Sequence, residues 1–145
     1  MMDYSLSYLA GKLAFELDRA ADQLLEEHVG ISYRRFLFLT VLQHIGTVTQ
    51  HELAVALGYS DPAVSTMLVE LAREGYIQTA QSPEHGRKRL VTITAKGSEI
   101  VAEGRRLLDA HFDQLLVIAG VDAAHYRELT ERLHQALMTK MKKEK

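Results

Sequence analysis

Three cations stand together at Arg87-Lys88-Arg89 in a chain of 145 residues whose formal net charge is −2. Such a triplet suits phosphate. Arg87, beside Gly86, can reach into a minor groove whose negative potential favours arginine, while Lys88 and Arg89 neutralise backbone charge. Upstream, Ser65 and Thr66 carry hydroxyls able to donate or accept at base edges, and Val69 can pack on a thymine methyl. The acidic balance means that any nucleic-acid contact must be local, because the remaining surface repels phosphate. Taken singly, the triplet equally describes a solvated basic turn, and the hydroxyl-bearing segment an ordinary polar helix face. Their order along the chain is what distinguishes them.

Other chemistry finds little purchase. There is no cysteine, which excludes disulfides, thiolate metal sites and cysteine redox sensing. Of the seven histidines, His28, His44 and His111 raise a zinc- or metal-responsive alternative, but no pair has tight ligand spacing. His51-Glu52-Leu53-Ala54-Val55 begins like a metalloprotease helix and then places Val55 where the second histidine must sit. Neither a nucleophile elbow nor a phosphate-cradling glycine loop occurs, so no enzyme, cofactor or bound metal is expected. No run of eighteen apolar residues would span a membrane, and Met1-Met2-Asp3-Tyr4 lacks a secretory layout; a cytoplasmic protein is expected.

The elements that must position these residues follow from period and punctuation. Leu6, Leu9, Leu13, Leu17, Ala20, Ala21 and Leu24 recur at helical steps, and Gly30 ends that helix. Ser32 caps a second helix carrying Phe36, Leu39, Leu42 and Ile45, stopped by Gly46. Thr49 and Glu52 form a capping box for a short third helix that ends at Gly58. Ser60 or Asp61 caps the fourth, with Pro62 in its first turn. On that helix Val64, Leu68 and Leu71 share an inward side. Pro62, Thr66, Val69 and Arg73 face outward, flanked by Ala63, Ser65 and Glu70. The period then changes. Residues 76–81 and 89–94 read as strands joined by a long tip from Ser82 through Gly86. Two long helices follow, one from Thr94-Ala95-Lys96-Gly97 to Gly120, the other bearing Tyr126, Leu129, Leu133, Leu137 and Met141.

Two short helices separated by a tight turn, then a basic hairpin, is the order of a winged helix-turn-helix. The expected fold is therefore mainly α with a small β-hairpin wing, a single domain over 1–145. Its winged lobe spans 31–94, and both chain ends, 1–30 and 95–145, form a helical dimerisation region. The reading helix comprises Ser60, Asp61, Pro62, Ala63, Ser65, Thr66, Val69 and Arg73. The wing comprises His85, Arg87, Lys88 and Arg89. Leucine stripes at the two ends, Leu6, Leu9 and Leu13 with Leu129, Leu133 and Leu137, exceed what one small lobe can bury and mark a homodimer interface. Two-fold pairing would set the reading helices about 34 Å apart, one turn of DNA, and would demand a pseudo-palindromic operator in double-stranded DNA.

Glu52-Leu53-Ala54, Gly75-Tyr76-Ile77 and the run Val91 to Gly97, in this order and over essentially the whole chain, resemble the MarR (multiple antibiotic resistance regulator) family. The resemblance implies a repressor whose DNA affinity is relieved by a small aromatic or amphipathic effector. The effector cleft would lie where the long helices meet the winged lobe, with Phe15, His28, Phe36, Leu39 and Phe112 as candidate lining that serves equally well as core. The chain departs from the family pattern at His85, where members usually carry an aspartate two residues before the wing arginine. It departs again at Thr66, where many carry an arginine. A winged-helix module that binds only protein would keep the same fold and make the wing cations dispensable.

Overall fold

A computed structural model describes residues 3–84 and 86–144. The order is α1 (Leu6–His28), α2 (Tyr33–Ile45), β1 (Val48–Thr49), α3 (Gln50–Leu57), α4 (Asp61–Arg73), β2 (Ile77–Gln81), β3 (Arg89–Ile93), α5 (Ala95–Ala119) and α6 (Ala123–Lys143). The mainly α architecture with a β wing is as the sequence predicts. One element is additional: β1 pairs antiparallel with β3, Val48 opposite Val91, so the sheet has three strands in the order β1-β3-β2. Two residues are too few to produce an alternation, which is why sequence period misses them. Strands β2 and β3 pair from Ile77 opposite Ile93 to Gln81 opposite Arg89, leaving Tyr76 and Thr94 outside the ladder. No helix among the described residues is long and apolar enough to cross a membrane.

The helix ends obey local chemistry. Ser32 Oγ accepts from the Arg35 amide, and Thr49 and Glu52 satisfy each other's amides in a complete capping box. Asp22 on α1 accepts from the Tyr33 amide at 2.9 Å, fastening α1 to the start of α2. Burial and the Asp18 carboxylate hold the Tyr33 phenol above its ordinary pKa.

The chain forms two compact units, 1–107 and 108–145. In the first, Leu25, Phe38, Leu39, Leu42, Leu53, Val64, Leu71 and Val91 are fully buried. Two α5 glycines permit its close approach to this core. A Cβ at Gly104 would lie 2.6 Å from the Phe36 ring, and one at Gly97 would lie 2.3 Å from the Tyr76 carbonyl oxygen and 2.7 Å from Ile93 Cγ1. In the second unit, Asp122 caps α6 by accepting from the His125 amide at 2.8 Å, and the Phe112 and Tyr126 rings lie 5.8 Å apart. No described residue of this unit is buried.

Gly97→Ala should therefore destabilise by roughly 1–3 kcal/mol, because the obstacle is backbone and cannot swing aside. Gly11→Ala, with nothing within 4 Å of the added carbon, should instead stabilise α1 by about 0.5–1 kcal/mol. Urea unfolding of both variants checks the pair; equal effects would contradict the packing described.

Candidate nucleic-acid interface

Helix α4 is the central element. Gly58, at φ +70°, turns the chain out of α3, and the Arg34 guanidinium lies 4.8 Å above the Tyr59 ring. Ser60, not Asp61, is the cap: its hydroxyl accepts from the Ala63 amide at 3.3 Å. Pro62 then occupies the first turn, where its missing amide has no helical partner to lose. Val64, Leu68 and Leu71 face inward and are buried; Pro62, Ser65, Thr66, Val69 and Arg73 are exposed. Val69, an aliphatic side chain 58% exposed, has no folding reason to face water.

Glu70 behaves differently from the outer-face residue that helical spacing suggests. Arg35 of α2 donates from Nη2 to Glu70 and from Nη1 to Glu74, each at 2.8 Å. One guanidinium thus grips the C-terminal half of α4 by two carboxylates, using the fixed fork that only arginine has. The Glu70 bond is the main reason that Arg35 is held above its already high pKa. A second set of bonds closes the same helix end. Thr94 Oγ1 donates to the Gly75 carbonyl at 2.6 Å, Lys96 Nζ donates to the Glu74 carbonyl at 2.6 Å, and the Gly97 amide donates back to Thr94 Oγ1 at 3.1 Å. These carbonyls would otherwise lack partners at a helix terminus.

The N-terminal half of α4 opens onto a cleft of about 560 Å³ lined by Thr49, Gln50, His51, Glu52, Asp61, Arg87, Lys88 and Arg89. The wing cations and the start of the reading helix therefore share one concave surface. Its two acids are engaged: Glu52 accepts from the Thr49 amide at 3.0 Å, and Asp61 lies 3.3 Å from His51 Nδ1. Arg89 donates to Thr79 across the hairpin at 3.3 Å, and the Ser82 amide donates to the Lys88 carbonyl at 2.8 Å, closing the wing. Among the described residues Arg87 and Lys88 have no ion-pair partner. His85, expected in the wing, lies outside the described residues. Sequence reasoning missed Gln50 and His51, whose position follows from the β1–β3 pairing.

The expected effector residues have mixed environments. Phe36 and Leu39 are core side chains; Phe15 is 61% exposed under Arg19, His28 is exposed at the end of α1, and Phe112 stands against Tyr126 in the second unit. The leucines expected at a dimer interface are open: Leu6, Leu9, Leu13, Leu129, Leu133 and Leu137 are all exposed, as are Val117 and Ile118, which sequence period does not single out. No group of three or more His, Asp or Glu able to hold a metal occurs among the described residues.

A capped reading helix packed behind a tight turn, followed by a three-stranded wing, defines a winged helix-turn-helix. Residues 29–88 match the MarR family. YdgJ, an HTH-type transcriptional regulator of Bacillus subtilis, is 29% identical over 108 residues, which is 74% of this chain and 65% of that protein. A Mycobacterium bovis HTH-type regulator is 29% identical over 100 residues, 68% of this chain and 70% of its own. MarR from E. coli in its apo form has the same fold at TM-score 0.79 and 23% identity, over 94% of this chain and 99% of that one. MepR of S. aureus, solved as a DNA complex, gives TM-score 0.75 at 24% identity over 94% and 99%. The winged lobe of the chain is thus similar to the MarR family, and the curated relatives it matches are described as HTH-type transcriptional regulators.

Arg35→Ala should cost about 1–2 kcal/mol, more than a single surface pair but limited because the carboxylates are 44% and 38% exposed. A raised pKa contributes stability that is fully present below the unfolded-state value and is lost only as pH rises through the still higher folded-state value, far above ordinary buffers. The arginine side of the clamp is thus insensitive to ordinary buffers. In the Arg35→Ala background, Glu70→Ala and Glu74→Ala should add almost nothing; full additivity in this double-mutant cycle would contradict the clamp.

Proposed function

We propose that the chain is a sequence-specific repressor that binds a pseudo-palindromic operator in duplex DNA as a homodimer, with its affinity set by a small-molecule effector. The observation that carries the reading is the shared cleft. Arg87 and Lys88, without an ion-pair partner among the described residues, line the same concave surface as the start of α4. Exposed Ser65, Thr66 and Val69 supply polar and methyl contacts of the kind that read base edges, while the wing supplies charge that holds phosphate. The MepR structure solved with DNA supports the comparison.

Dimerisation is supported by the absence of buried residues among those described in 108–145. A unit of that size without a core does not hold itself together, and the exposed leucines of α1 and α6 offer a second copy the apolar area it needs. Effector control would act by favouring one separation of the two reading helices over another, and the shift in DNA affinity would equal that preference. Exposed Phe15 and His28 remain open to such a ligand, whereas Phe36 and Leu39 are committed to the core.

Binding selection on random duplexes followed by fluorescence anisotropy should yield a pseudo-palindrome. Arg87→Ala should weaken it by about 1–3 kcal/mol and flatten the plot of log K against log salt by about 0.9 for each phosphate that the variant no longer neutralises. If the variant binds like wild type at every salt concentration, the wing is not a DNA contact. For assembly, Leu133→Asp, at a position 73% exposed in the single chain, should shift sedimentation from dimer to monomer and abolish tight operator binding. A wild-type monomer at micromolar concentration would end the dimer reading.

A further inference from the structure

The two hydroxyls near the start of α4 are not equivalent. Thr66 Oγ1 donates to the Pro62 carbonyl at 3.2 Å, which commits its only hydrogen. Ser65 Oγ instead accepts from Gln50 Nε2. A hydroxyl has one hydrogen and two lone pairs, so Ser65 keeps its hydrogen for an outside partner while Thr66 can only accept. Both side chains are exposed on the face that the proposed function places against DNA.

Gln50 is more firmly held than an ordinary surface glutamine. It is the first residue of α3, and Thr49 before it is fixed twice, by the capping box with Glu52 and by pairing with Leu90 of β3. The same strand β3 begins at wing residue Arg89. Gln50 therefore joins the wing, α3 and the reading helix at one point of the cleft.

We infer that Gln50 is a positioning residue for operator specificity: by donating to Ser65 it makes that hydroxyl a hydrogen-bond donor toward DNA, while Thr66 serves as an acceptor. This inference rests on the DNA-binding reading above. In a major groove, guanine N7 and O6, adenine N7 and thymine O4 accept, whereas cytosine N4 and adenine N6 donate. A donating Ser65 thus disfavours cytosine at the edge it meets. Thr66 selects cytosine or adenine at its own.

The test is binding selection on random duplexes with wild type, Ser65→Ala, Gln50→Ala and Gln50→Glu, each first checked for an unchanged melting temperature. Ser65→Ala identifies the base pair concerned by flattening the preference there. Gln50→Ala should weaken that preference by up to about tenfold, the size of one hydrogen bond. Gln50→Glu is the sharp arm. A carboxylate can only accept, so the Ser65 hydrogen turns inward and cytosine, disfavoured at that position by wild type, should become favoured over guanine and thymine. Added negative charge would lower affinity for all sequences but would not reorder them. An unchanged sequence profile in both Gln50 variants overturns the assignment. Should the Gln50→Glu variant melt early, the Gln50→Ala profile decides alone. If wild type itself enriches no sequence, the DNA reading fails and this inference falls with it.

Discussion

Everything exposed on α4 depends on how its C-terminal end is held. Arg35 reaches from α2 to two carboxylates one helical turn apart, and its guanidinium fork meets them with two different nitrogens. Thr94 and Lys96 then take the last carbonyls of the same helix end. Since Thr94, Lys96 and Gly97 open α5, the reading helix and α5 share a joint of hydrogen bonds and close backbone approach. Few polar groups remain on α4 for purposes of folding, which leaves its N-terminal half free to present Pro62, Ser65, Thr66 and Val69 to a partner.

Residues 108–145 pose the opposite physical problem. Helix α6 is well formed and capped, yet no described residue of this unit is buried. Helical propensity alone stabilises an isolated helix of this length only marginally in water. The apolar positions of α6, Leu129, Leu133, Leu137 and Met141, recur every four residues and stay exposed, which is the pattern of a helix face that the proposed dimer would cover.

Much of this is legible in the sequence, because the signals are local. Ser32, Thr49 and Ser60 cap where their side-chain chemistry dictates, and the inward trio Val64, Leu68 and Leu71 follows from 100° per residue. What the sequence hides is long-range. Strand β1 exists only because β3 is available to pair with it, and two residues leave no periodic trace. Glu70 reads as an outer-face residue because its partner, Arg35, lies 35 positions away. Gln50 and His51 are inconspicuous for the same reason: their role comes from the neighbours that the wing brings, not from their own spacing. The motif Thr94-Ala95-Lys96-Gly97, which carries part of the family resemblance, has a physical cause in the joint with α4.

An acidic chain can still hold phosphate if the charges at the contact are arranged to count. The cleft contains Glu52 and Asp61 beside its three cations, which by simple addition leaves a weak field. Each acid, however, already faces a local donor, Glu52 the Thr49 amide and Asp61 the His51 ring. Hydrogen bonding of this kind spreads carboxylate charge and reduces what reaches solvent. Arg89 is partly engaged by Thr79. Arg87 and Lys88 have no such ion-pair or hydroxyl partner among the described residues. Among the described residues the cations without an ion-pair partner in this cleft are therefore those of the wing, Arg87 and Lys88. The wing cations and the exposed hydroxyls of α4 thus occupy separate parts of one surface, so that, on the proposed reading, the strength and the selectivity of binding could change independently.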